Sequence, residues 1–134
     1  MSVAKGRIII LDDSQAILDQ IARQLTKAGF EVFSTSDVLA AARQTASADV
    51  AIVDYHMGSI TGFDAIKILK KSPGNCRFFL YTTDTDHART AVEHGFDGTF
   101  SLKGKLEGLV RQVAPAVRAS QVRARLRAND LQEK

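Results

Sequence analysis

The feature that most constrains this chain is an alternation between two kinds of segment. Short apolar runs, Ile8-Ile-Ile-Leu11, Val50-Ala-Ile-Val53 and Phe78-Phe-Leu-Tyr81, are separated by longer stretches with helical periodicity. Each run is too short for a stable helix and is rich in β-branched or aromatic residues. Being apolar on both faces, the runs read as central strands of a parallel sheet. Phe30-Glu-Val-Phe33 alternates and suits a strand nearer an edge, while Gly98-Thr-Phe-Ser-Leu102 supplies a weaker fifth.

The intervening stretches are amphipathic. Ile17, Leu18, Ile21, Leu25 and Ala28 share one helix face, which Gly29 closes. Ser36-Asp37 opens a second helix with Val38, Leu39 and Ala42 inward. Phe63, Ile66 and Leu69 mark a third, stopped by Pro73-Gly74, and Ala88, Ala91 and Val92 a fourth, closed by Gly95. Leu106, Leu109, Val110 and Val113 mark the fifth, in which Pro115 predicts a kink or a stop. Five βα units in succession predict an α/β fold: a doubly wound, five-stranded parallel sheet with helices on both faces. The flavodoxin-like strand order 2-1-3-4-5 is one arrangement compatible with right-handed crossovers. Residues 1–117 then form one domain, and 118–134 a basic C-terminal helical extension, linker or tail.

Length and composition agree with a single globular domain: 134 residues, 45% hydrophobic and 25% charged. No apolar run approaches membrane-spanning length, and the first residues lack the apolar core of a signal peptide. Cys76 is the single cysteine and has no partner for an internal disulfide, so a reducing cytoplasm is expected. The net charge of +3 is concentrated in the last quarter, where Arg111 to Arg127 holds five arginines and no acid. No nucleic-acid motif accompanies this charge, so a solvated helix face is favoured over direct nucleic-acid binding.

In open parallel sheets, ligands bind beyond the carboxyl ends of the strands. The first strand ends in Asp12-Asp13, the third in Asp54 and the fourth in Thr82-Thr83, and Lys103 follows the fifth. Three acids, a hydroxyl and an amine would therefore converge on one edge. Clustered carboxylates repel unless a cation neutralises them, and an all-oxygen set suits Mg2+. A carboxylate beside such an ion can act as nucleophile toward phosphorus, with a lysine and a threonine hydroxyl to hold the phosphoryl oxygens. Taken singly, each residue reads as well as a helix cap, a turn residue or a surface lysine. Their joint placement at successive strand ends is what points to chemistry.

With these residues in place, the chain resembles the receiver domain of two-component response regulators over roughly residues 6 to 117. Asp12-Asp13 matches the family's metal-binding pair. Asp54-Tyr-His-Met57, with Gly62 in the following loop, matches the phosphoacceptor motif. Thr82 matches the switch hydroxyl, Lys103 the invariant-type lysine, and Phe100 the switch aromatic. The resemblance implies that Asp54 accepts a phosphoryl group from a histidine kinase or a histidine phosphotransfer protein. It implies Mg2+ held by Asp13, Asp54 and the backbone carbonyl of His56, with Asp12 acting through water. Thr82 and Phe100 would move on phosphorylation and alter the face of the fourth helix, fifth strand and fifth helix, where a downstream protein binds. No enzyme activity is implied beyond self-catalysed phosphotransfer and autodephosphorylation, and homodimerisation is left open.

Gly58 and Gly104 stand where the family often has prolines, and Gly98 lies one residue further from Lys103 than is usual, so a bulge or altered loop can be expected there. His56 and Asp84, each two residues after a site residue, would rim the site, while His87 and His94 read as surface residues. Three rival readings remain. A dehalogenase-type phosphatase would need an acid where His56 stands. A flavodoxin-like electron carrier would need a phosphate loop where Asp12-Asp13-Ser14 stands. A phosphorylation-independent adaptor, or the receiver fragment of a larger regulator, would use the same fold.

Overall fold

The computed structural model describes residues 4–72, 74–100 and 106–132, and side chains of the last segment from 108 to 129. Five parallel strands form the central sheet: β1 (Arg7–Leu11), β2 (Glu31–Thr35), β3 (Val50–Asp54), β4 (Arg77–Tyr81) and β5 (Gly98–Phe100). Their order across the sheet is β2-β1-β3-β4-β5, the flavodoxin-like arrangement 2-1-3-4-5. The alternating segment around Phe30–Phe33 does sit at the edge, and Phe33 stays 38% exposed. Ile8 to Leu11, Val50 to Val53 and Leu80 are buried essentially completely, as strands covered on both faces must be.

The helices are α1 (Gln15–Lys27), α2 (Val38–Ala42), α3 (Gly62–Leu69), α4 (Thr85–Thr90) and α5 (Leu106–Gln132). A two-residue antiparallel ladder, His56–Met57 with Ile60–Thr61, fills the loop between β3 and α3. Two apolar layers result. One packs α1 and α5 over Ile8, Ile10, Ile52, Phe79 and Phe100; the other packs α2 and α3 over Ile9, Leu11, Val53 and Leu80.

Local chemistry sets the helix starts. The Ser14 hydroxyl accepts from Ile17 N, and the Asp37 carboxylate accepts from Leu39 N. Thr61 and Asp64 form a reciprocal capping box at α3. Gly29 and Gly95 adopt left-handed backbone, each at φ +103°, where the chain leaves α1 and the 3-10 turn after α4.

Leu39, Val92 and Pro115 depart from expectation. Leu39 faces outward at 59% exposure, because α2 is five residues long and turns Ala41 inward instead. Val92 is 65% exposed, because α4 gives way to a 3-10 turn at Val92–His94 that rotates it out of register; Ala91 is the buried residue. The third helix ends at Leu69 with Lys70 as its C-cap, short of Pro73-Gly74, as the stop expected there implies. Of the kink or stop expected at Pro115, the stop does not occur: α5 runs on to Gln132 with the proline inside it. Beyond Pro115 the helix remains attached to the domain. Val117 and Ser120 are buried, Ser120 Oγ donates to the Asn75 carbonyl at 3.0 Å, and Gln121 Nε2 donates to the Lys5 carbonyl at 2.9 Å. These contacts offset the one backbone bond that proline forfeits.

Candidate functional site

Register brings the acids together. β3 lies between β1 and β4, so Leu11 pairs with Val53 and Asp54 with Tyr81. Asp12 and Asp13 follow β1 directly, and one oxygen from each of Asp12, Asp13 and Asp54 lies within 4.8 Å of the others. Asp12 is 3% exposed, Asp54 is half-buried and Asp13 is exposed.

Burial raises the Asp54 carboxyl to about 7, with Asp12 and then Asp13 adding repulsion. Burial also raises Asp12, helped by Asp13 and opposed by hydrogen bonds from Tyr81 and Ser14. Both oxygens of Asp12 are engaged: Oδ1 accepts from Ser14 N at 2.8 Å, and Oδ2 accepts from the Tyr81 hydroxyl. Burial pushes the Tyr81 hydroxyl far up, so it serves as a donor throughout the physiological range. Three carboxylates gathered so closely, two of them raised chiefly by burial, are a donor set suited to a hard divalent cation. Asp13 is the exposed member of the set, and Asp12, whose oxygens accept from Ser14 N and Tyr81, is the buried one.

Tyr81 is the site residue that sequence reasoning missed. Its signal was its position as the last residue of β4, two strands from Asp12 and pointing to the same edge. Tyr81→Phe is expected to cost about 1 kcal/mol and to leave Asp12 less solvated, measured by urea unfolding with and without Mg2+.

The Thr82 oxygen accepts from Asp84 N at 3.1 Å, and the Asp84 side chain caps α4 by accepting from Asp86 N and His87 N. Thr82, Thr83, Ala88, Thr99 and Phe100 line a hollow of about 180 Å³ on this flank. Phe100 already lies inward, 5% exposed and stacked on Phe79 at 4.3 Å. Gly98 pairs with Phe79 in ordinary parallel register, so no bulge precedes Phe100. Residues 101–105, which include Lys103 and Gly104, lie outside the described residues. His56 is exposed beside the acids. His87 is half-buried rather than a free surface residue: it stacks on Tyr55 at 3.5 Å, while the exposed His94 stacks on Phe63 at 3.8 Å. Cys76 takes no part, since burial pushes its thiol up to about 12.

Known proteins share this architecture. The family model described as the response regulator receiver domain matches residues 8–114. A cyclic di-GMP phosphodiesterase of Thermotoga maritima is 25% identical over 113 residues, covering 83% of this chain and 31% of that protein. The heme response regulator HssR of Staphylococcus saprophyticus is 35% identical over 65 residues, 47% of this chain and 29% of that protein. The chain thus spans about a third or less of the length of the curated relatives it matches. Among solved structures, the Francisella response regulator 1452 receiver domain superposes with a TM-score of 0.73 at 19% identity, covering 86% of this chain and 98% of that one. A structure described as adenylate cyclase from Rhodopirellula baltica gives 0.80 at 20% identity, covering 98% and 99%. At these identities the structural likeness shows the fold alone.

Proposed function

Because the chain belongs to the response regulator receiver domain family, we propose that it accepts a phosphoryl group on Asp54 and uses the added charge to switch a protein-binding face. The observation that carries this reading is the gathering of Asp12, Asp13 and Asp54 oxygens within 4.8 Å at the carboxyl end of the central strands.

In this reading an Asp54 oxygen attacks the phosphorus of a phosphohistidine on a kinase or phosphotransfer protein. The P–O bond of an acyl phosphate forms as the P–N bond breaks, and the imidazole keeps the electron pair and takes up a proton. Asp54 must be ionised to attack. Asp13, Asp54 and the His56 carbonyl would hold Mg2+, with Asp12 reaching it through water because its own oxygens are already engaged. Mg2+, when bound, supplies the positive charge that keeps Asp54 ionised and screens the phosphoryl oxygens. The Thr82 hydroxyl proton can be donated to a phosphoryl oxygen, since only its oxygen is used by Asp84 N. Lys103, outside the described residues, is assigned the countercharge from its sequence position. Phe100 is already inward, so phosphorylation would favour an arrangement that the aromatic ring has adopted beforehand. The chain acts as a switch and not as an enzyme on other substrates. Among the described residues, no helix is long and apolar enough to cross a membrane.

Incubation with acetyl phosphate and Mg2+, followed by intact-mass measurement, tests the reading. One labile phosphoryl adduct is expected, and it should fail to form in the presence of a chelator. An adduct carried by a residue other than Asp54 would sink it.

A further inference from the structure

The domain has a second concave feature, at the pole of the sheet opposite Asp54. A groove of about 380 Å³ runs between the end of α1 and the middle of α5, floored by Ala28, Phe30, Val110 and Ala114 and rimmed by Lys5 and Arg118. It continues into a shallower stretch along α1 and α5 that adds Lys27 and Arg111 to the rim. Among the described residues, no acidic side chain lines either stretch. None of the ion pairs among the described residues involves Lys5, Lys27, Arg111 or Arg118.

The spacing along α5 adds a second constraint. Arg111, Arg118 and Arg125 recur every seven residues, so they form one line on the helix with steps of about 10 Å. No Asp or Glu lies between Arg111 and Arg127. A helix laid alongside α5 presents its own heptad positions at the same step, so acids at that spacing would meet the arginines while its apolar stripe fills the floor.

We propose that this groove docks an acidic amphipathic helix of a partner protein. A second copy of this chain would bring the same cations to the contact and be repelled. A nucleic-acid duplex would satisfy the arginines but presents phosphates, with no apolar ridge for the floor. The groove is separate from the acidic trio, so docking and phosphate capture can be measured independently.

The test uses the full chain and a labelled synthetic helix carrying leucines at i, i+3, i+4 and i+7, with glutamates on both flanks. Its twin has lysine for every glutamate. Fluorescence anisotropy should show binding of the acidic helix only. The double substitution Lys27→Glu, Arg118→Glu lies on exposed positions and should weaken that binding by about tenfold or more. The same variant should gain affinity for the lysine twin and keep its acetyl phosphate adduct. Equal binding of both helices, absence of binding to either, preference for duplex DNA or for phosphatidylglycerol vesicles, or concentration-dependent self-association in sedimentation would each overturn the proposal.

Discussion

Asp54→Asn is expected to abolish the phosphoryl adduct and, in the absence of Mg2+, to make the folded protein more stable. The two effects have one origin. Folding raises the Asp54 carboxyl from an ordinary 3.8 to about 7, chiefly by burial and then by the charges of Asp12 and Asp13. A group whose folded value lies above its unfolded value binds more protons in the folded state across that interval. Its contribution is therefore complete below about pH 4 and is lost as pH rises through about 7. The wild-type chain should thus lose stability between about pH 4 and pH 8 in metal-free buffer, with Asp12, also raised, acting in the same direction. Asparagine carries no charge to repel, so the variant should show a flatter profile. At about pH 8 it should exceed the wild type by roughly 1–3 kcal/mol, a range reduced for the solvent that reaches this half-buried group. Urea titrations across pH measure the difference. Adding Mg2+ should stabilise the wild type near pH 8 and the variant much less. An Asp54→Asn chain that is less stable than wild type at high pH would contradict the electrostatic account of the site.

Gly62→Ala is expected to damage both the fold and the chemistry. A Cβ at Gly62 would lie 2.6 Å from the Asp54 carbonyl oxygen and 3.1 Å from Tyr55 Cα and Leu80 Cδ1. Two of these three atoms are backbone, so the strain cannot be relieved by rotating a side chain. The Gly62 N–H also donates to the Tyr55 carbonyl at 2.6 Å, which fixes the start of α3 against the end of β3. Relief therefore requires moving the segment that carries Asp54. A loss of about 1–3 kcal/mol is expected, within the range of overpacked sites, together with slower adduct formation. Urea unfolding and a time course with acetyl phosphate check the two parts. Ala at this position with unchanged stability and rate would show that the close approach is unimportant.

Strands announce themselves: Ile8 to Leu11 and Val50 to Val53 have no polar face, which leaves them no position except inside the sheet. Their ends place Asp12, Asp13 and Asp54, so the acidic trio was legible as soon as the strand order was guessed. Short helices are less legible. In α2 one turn decides which residue points inward, and small Ala41 rather than Leu39 fits against α3. At Val92 a change from α to 3-10 winding rotates the side chain outward, and no periodicity argument encodes that change. The hydroxyl of Tyr81 was hidden for another reason: an aromatic residue in an apolar run reads as core, and only the register between β4 and β3 turns its polar end toward Asp12. The stop expected at Pro115 does not occur because local rules weigh the proline against the helix alone, whereas Ser120 and Gln121 anchor the continuation to distant backbone.

That anchoring has a consequence for how the molecule can change over generations. The ties of α5 to Asn75 and Lys5 sit where the strands begin, whereas the acids sit where they end, about 16 Å away along a five-residue strand. Substitutions separated by such a distance, with no shared partner, usually add without interfering. A lineage carrying this fold could therefore remodel the helical extension, and whatever it engages, by steps that leave the carboxylate cluster untouched. The two ends of one small sheet are free to diverge at different speeds.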